Sequence, residues 1–136
     1  MITAIDSNIL IDIFNDDPNF FDPSSTALRK VLSNGAGVAC EVVWSEVSTG
    51  FPSKDSFIQA ITSLGITFSA INETTALLAG DNWRKYRSKG GKRDRITADF
   101  LIGAHAANQC DCLLTRDTRF YRTYYKKLKI LDPLHP

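Results

Sequence analysis

Two rhythms of apolar residues alternate along this chain. Short runs rich in β-branched and aliphatic residues, at 1–5, 37–40, 66–71, 111–115 and 128–131, read as strands. The segments between them place apolar residues three and four apart and read as helices, over about 8–14, 22–33, 41–48, 53–64, 75–87, 98–108 and 118–125. The clearest is 53–64, with Phe57, Ile58, Ile61 and Leu64 along one side and Gly65 as its stop. Asp22-Pro23 marks a helix start, Asn34-Gly35 a helix end, and Asn72 or Thr74 a cap for the helix that follows. Thr97 is the expected cap of the helix over 98–108. Strands alternating with helices predict an α/β fold, a three-layer α/β/α sandwich with a mostly parallel central sheet, in one domain over 1–136.

Four acids interrupt this pattern. Asp6 closes the first strand, Glu46 sits within Val42-Val43-Trp44-Ser45-Glu46-Val47, Asp99 lies in an otherwise apolar helix, and Asp117 follows Leu113-Leu114-Thr115. Each alone has an ordinary explanation: a helix cap at Asp6 or Asp117, a favourable helix dipole at Asp99, a solvated face at Glu46. As a set they fall at element ends or on apolar faces, where acids are rare unless paired or bound to metal. Asp6 and Asp117 follow separate strands, at the carboxyl edge where parallel sheets bind ligands. Two carboxylates ~4 Å apart repel by roughly 4 kcal/mol at an effective dielectric near 20. A hard divalent cation, Mg²⁺ or Mn²⁺, one ion or two, would relieve that repulsion and activate water toward phosphorus. Ser7, Asn8 and Thr115 stand beside these acids and could orient them.

Charge sharpens the picture. The net charge of +1 conceals −7 over residues 1–82 and +8 over residues 83–136. Seven of the thirteen residues from 83 to 95 are basic, and this stretch leads into the helix carrying Asp99. Arg84, Lys85, Arg87, Lys92, Arg93 and Arg95, with Arg116 and Arg119 around Asp117, are candidate contacts to the phosphates of a nucleic acid. Trp83, Tyr86, Tyr121, Tyr124 and Tyr125 are interleaved with the bases, as suits stacking on a single strand, although Trp83 and Tyr86 also have core spacing. Three cysteines, Cys40, Cys110 and Cys112, make no disulfide framework, and Cys-x-Cys supplies too few ligands for zinc. The N-terminus does not read as an export signal and no apolar run could span a bilayer, so the expectation is a cytoplasmic protein without membrane contact.

Ile5-Asp6-Ser7-Asn8, Glu46, Ala98-Asp99-Phe100-Leu101-Ile102-Gly103-Ala104-His105-Ala106 and Leu114-Thr115-Arg116-Asp117-Thr118-Arg119-Phe120 together resemble PIN-domain ribonucleases, particularly the VapC-type toxins of toxin–antitoxin pairs. The resemblance covers nearly the whole chain. It implies a small α/β/α sandwich, with Asp6, Glu46, Asp99 and Asp117 as the catalytic acids that bind Mg²⁺ or Mn²⁺. It further implies cleavage of RNA to 3′-hydroxyl and 5′-phosphate ends, a homodimer, and a cognate antitoxin that inserts a segment near the active site. Ile9-Leu10-Ile11-Asp12-Ile13-Phe14 holds apolar candidates for that contact, and core packing explains them equally well. Asp94 has no assigned role. Two other readings compete: a non-catalytic RNA-binding module of the same fold, and a phosphoryl-transfer or phosphoacceptor domain. The latter usually carries a second Asp two residues after the first, where this chain has Asn8.

Overall fold

The computed structural model describes residues 1–91 and 97–136. Five strands form one all-parallel sheet: β1 (Ile2–Ile5), β2 (Ala36–Ala39), β3 (Ile66–Phe68), β4 (Cys112–Leu114) and β5 (Lys129–Leu131), in the order β3-β2-β1-β4-β5. Among the described residues the helices are α1 (Ser7–Phe14), α2 (Phe21–Asn34), α3 (Glu41–Ser48), α4 (Lys54–Leu64), α5 (Glu73–Ser88), α6 (Thr97–Gln109) and α7 (Thr118–Tyr124). The chain steps outward from β1 to β3, then returns to lay β4 on the other side of β1. Right-handed crossovers place α1 to α4 on one face and the later helices on the other. The reversal opens a topological switch point between β1 and β4, where the chain leaves the two strands toward opposite faces.

Both central strands are covered on both faces, so they read as continuous apolar runs rather than alternating ones. Ile5, Leu113 and Leu114 are at most 1% exposed. Ile9 and Leu10 of α1, Val43 and Val47 of α3, Phe57 and Ile61 of α4 and Phe100 of α6 pack around them. α6 fits closely because its middle is small: a Cβ on Gly103 would lie 2.4 Å from the Tyr125 ring. No helix among the described residues is long and apolar enough to cross a membrane.

The expected elements are present, with shifts that have local causes. The strand expected over 66–71 ends at Phe68, because β2 stops at Ala39 and Cys40 already caps α3. Ser69 N–H donates to the Ala39 carbonyl, and the Ile71 N–H turns instead to Glu41 Oε1 at 2.9 Å. α2 begins at Phe21, ahead of Asp22-Pro23, after a turn in which Asp17 Oδ1 accepts from the N–H groups of Asn19 and Phe20. Asn72, not Thr74, caps α5 by accepting from Thr75 N–H at 2.8 Å. Thr97 lies inside α6 rather than capping it. α4 starts with a reciprocal capping box between Ser53 and Ser56.

Candidate functional site

The β1–β4 register decides what meets at the switch point. Ile5 pairs with Leu114, so Asp6 and Thr115 leave the sheet side by side. Asp6 N–H donates to the Leu114 carbonyl at 3.0 Å, which carries the strand pairing one residue further. The Thr115 hydroxyl donates to Asp6 Oδ2 at 2.7 Å and accepts the Asp117 N–H at 3.0 Å. One hydroxyl thus fixes both acids relative to each other. Asp6 also caps α1, taking the Ser7 N–H on Oδ1 at 2.7 Å. Asn8 completes the link: its amide lies 3.4 Å from both Asp6 Oδ2 and Thr115 Oγ1, and its Oδ1 accepts the Arg116 N–H at 3.3 Å.

Glu46 reaches the same place from α3. Val43 and Val47 hold that helix against the core, which leaves Glu46 exposed and turned toward α1. The Ser7 hydroxyl donates to Glu46 Oε1 at 2.6 Å. Asp99 sits half-buried in the first turn of α6, and Asp117 opens α7.

Electrostatics shows that the acids share a field. Burial pushes the Asp6 carboxyl up to about 6; the Thr115 hydroxyl and Ser7 N–H oppose this, and the charges of Asp99 and Glu46 add to it. Tyr121 is completely buried. Its phenol is driven far above its ordinary value by burial, then by the charges of Asp6, Asp99 and Asp117. The acids after β1, in α3, in α6 and in the β4–α7 turn are thus linked through the field at Asp6 and Tyr121. Convergence stops short of a closed ligand shell: among the described residues, no three His, Cys, Asp or Glu side chains are arranged to hold one ion.

The donor set still fits a hard dication. It consists of carboxylate and hydroxyl oxygens, with no thiol or imidazole among them. Mg²⁺ keeps several waters and takes one or two carboxylates directly, so a closed cage is not what it needs. The buried Tyr121 hydroxyl, which makes no hydrogen bond of normal geometry, lies toward the Asp6 carboxyl among the same acids.

The candidate phosphate contacts divide. Arg116 has its guanidinium against Asp12, Nε to Oδ2 at 2.8 Å and Nη2 to Oδ1 at 3.0 Å, and stacks 3.9 Å over the Phe20 ring. Asp12 is 2% exposed and also accepts the Ser24 hydroxyl at 2.7 Å. Arg116 therefore clamps the β4–α7 turn to α1 and is only partly available to a substrate. Arg84 pairs with Asp81 at the surface, and Arg87 lies 5.6 Å over Trp83. Lys85 and Arg119 are exposed. Lys92, Arg93, Asp94 and Arg95 lie outside the described residues.

The interleaved aromatics pack inward instead of offering faces to bases. Tyr86 and Tyr124 meet Phe100 at 5.5 Å, Tyr121 and Tyr125 are buried, and Trp83 is half-buried against the core. In the candidate antitoxin segment, Ile9 and Leu10 are core residues, while Ile11 is 40% exposed. Cys112 lies 3.1 Å from the Thr3 hydroxyl and His105 2.9 Å from that of Ser69.

Sequence reasoning read Tyr121 only as a stacking residue and missed the Asp12–Ser24–Phe20 nest around Arg116. Asp12 did carry a signal, as a further acid inside an apolar helix.

The PIN domain family profile matches residues 3–126. No curated protein matches the chain. Among solved structures, the chain is similar to VapBC2 of Rickettsia felis bound to a promoter DNA fragment (TM-score 0.76, 18% identity, covering 97% of this chain and 98% of that one). It is also similar to VapBC-1 of nontypeable Haemophilus influenzae (0.74, 20%, 98% and 99%). The DNA-bound VapBC of Salmonella typhimurium aligns comparably (0.73, 14%, 98% of each).

Proposed function

Because this chain belongs to the PIN domain family, we propose that it is a metal-dependent endoribonuclease, the VapC-type toxin of a toxin–antitoxin pair. One observation carries the reading: four acids from four separate parts of the chain share one electrostatic neighbourhood at the sheet's switch point. In this reading Asp6, Glu46, Asp99 and Asp117 hold Mg²⁺ or Mn²⁺ directly or through water, and Ser7, Asn8 and Thr115 orient them. The ion, when bound, supplies a water acidic enough to attack phosphorus.

A basic groove suits the substrate. It has a volume of about 980 Å³ and lies between α5 and the end of α7, with Ala107 of α6 on its lining. Lys85 and Lys89 stand on one side and Lys126 and Lys127 on the other, with no acid among the lining residues. Unopposed cations on facing walls favour a polyanion. The RNA backbone is assigned to this groove and to Arg119. Ala107 is eight residues along α6 from Asp99, about 12 Å at helical rise.

The solved relatives are toxin–antitoxin complexes, which supports a cognate antitoxin as partner. A pocket of about 250 Å³ bordered by Ile11, Phe14, Phe51 and Glu46 is the surface we assign to it. An inserted apolar segment would fill it, and a basic side chain would meet Glu46. A homodimer completes the proposal, with Phe68, 48% exposed on the edge strand β3, as an interface candidate.

The decisive experiment is RNA cleavage with Mg²⁺ or Mn²⁺ against the same reaction in chelator. Metal-dependent cleavage that disappears in Asp99→Asn supports the assignment. Full activity of that variant ends it. RNA binding without turnover would favour the non-catalytic module instead.

A further inference from the structure

Two tyrosines four residues apart, Tyr121 within α7 and Tyr125 at its C-cap, have opposite fates. Burial takes both from solvent. The Tyr125 hydroxyl donates to the Phe100 carbonyl at 2.6 Å and ties α7 to the backbone of α6. The Tyr121 hydroxyl is just as dry and lies toward the Asp6 carboxyl, but no hydrogen bond of normal geometry joins the two. Its charged neighbours are Asp6, Asp99 and Asp117, and it lies four residues beyond Asp117 on the same side of the chain. The nearer oxygens of Asp6 already serve others: Oδ1 takes Ser7 N–H, and Oδ2 takes Thr115 and Asn8.

A buried hydroxyl left unpaired forfeits the hydration it had in the unfolded chain, and phenylalanine would fill the same space without that loss. A tyrosine persisting beside three acids is explained if its partner arrives from outside. The chemistry narrows that partner. A phenol held neutral can donate one hydrogen bond and is a poor metal ligand itself. An oxygen carried in with a dication is the acceptor that fits a site made of carboxylates.

We propose that Tyr121 belongs to the cation site, its hydroxyl donating to a water held by the divalent ion and so fixing where that water sits. This rests on the metal-dependent nuclease reading and adds a residue to it that the acid pattern does not contain. It also explains why α7 follows Asp117 without a break: the helix that begins at one acid brings the donor in one turn later.

The test is Tyr121→Phe, with Tyr125→Phe as its counterpart, read first by Mn²⁺ titration calorimetry without RNA. Tyr121→Phe should melt at or above the wild-type temperature in chelator, and bind Mn²⁺ about tenfold or more weakly. Its kcat should fall by a similar factor with KM unchanged. Tyr125→Phe should show the reverse: a lower melting temperature in chelator and unaltered Mn²⁺ affinity. Wild-type Mn²⁺ affinity in Tyr121→Phe overturns the proposal while leaving the nuclease reading intact. So does a lower melting temperature of that variant in chelator, because the hydroxyl would then have an internal partner. A wild-type protein that binds no Mn²⁺ overturns both.

Discussion

A carboxyl held near pH 6 ties stability to protons in an uncommon direction. Burial raises the Asp6 carboxyl from its ordinary 3.8 to about 6 in the fold. Between those values the folded chain binds more protons than the unfolded one, so its stability falls as pH rises through that window. The loss attributable to Asp6 is roughly 3 kcal/mol above pH 6. Asp6→Asn should remove this dependence, raise the metal-free melting temperature at pH 7 and abolish cleavage. Melting curves in chelator from pH 4 to 8 check the first two, and an unchanged pH dependence in the variant would refute them. Added Mn²⁺ should stabilise the wild type most above pH 6, where Asp6 is ionised, and Asp6→Asn should lose that response. Arg116 makes a different prediction. Removing its guanidinium in Arg116→Met leaves Asp12 buried and unpaired, a loss of about 2 to 4 kcal/mol after discounting the partly exposed arginine. Asp12→Asn should recover much of it in the double variant, measured by denaturant unfolding. The four acids proposed for the site, Asp6, Glu46, Asp99 and Asp117, stand out in the sequence because an acid among apolar neighbours is conspicuous. Tyr121 does not, since a tyrosine in a basic stretch looks like a stacking platform until burial is known.

Helix α6 presents Asp99, and its position rests on a contact with no tolerance. Gly103 meets the ring of Tyr125 closely enough that any side chain must displace one of the two elements. Gly103→Ala should destabilise the fold by about 1 to 3 kcal/mol. It should also weaken metal binding by shifting Asp99, which calorimetry would detect as a loss larger than the Tyr125→Phe variant shows. Helix and strand identities were legible throughout, because periodicity is strong in segments bounded by Gly, Asn or Pro. What escaped was decided by neighbours in space. The third strand could extend only as far as β2 accompanies it, and nothing in residues 69–71 says that β2 ends at Ala39. The aromatics of α5 and α7 carried base-stacking spacing and core spacing at once, and contact with Phe100 decided for the core.

Charge separation along the chain becomes charge separation around the molecule, with acids at the switch point and lysines along the α5–α7 groove. RNA affinity should therefore fall with salt by roughly 0.7 log units per log of salt for each phosphate contacted. Lys126→Glu combined with Lys127→Glu should flatten that slope and raise KM on long RNA, while kcat on a short oligonucleotide stays within about twofold. A slope indifferent to these charges would remove the groove from the substrate path. One feature of the sheet reaches further. The strand that delivers Asp6 is emitted first, yet its neighbour on one side comes 109 positions later. During synthesis from the N-terminus, Thr115 and Asp117 are absent until most of the chain exists, and non-local pairing must wait for them. A growing polypeptide that has not yet made Thr115 lacks the hydroxyl that fixes Asp6 and Asp117 relative to each other, so the acid pair is set only after the strand pairing of β1 with β4.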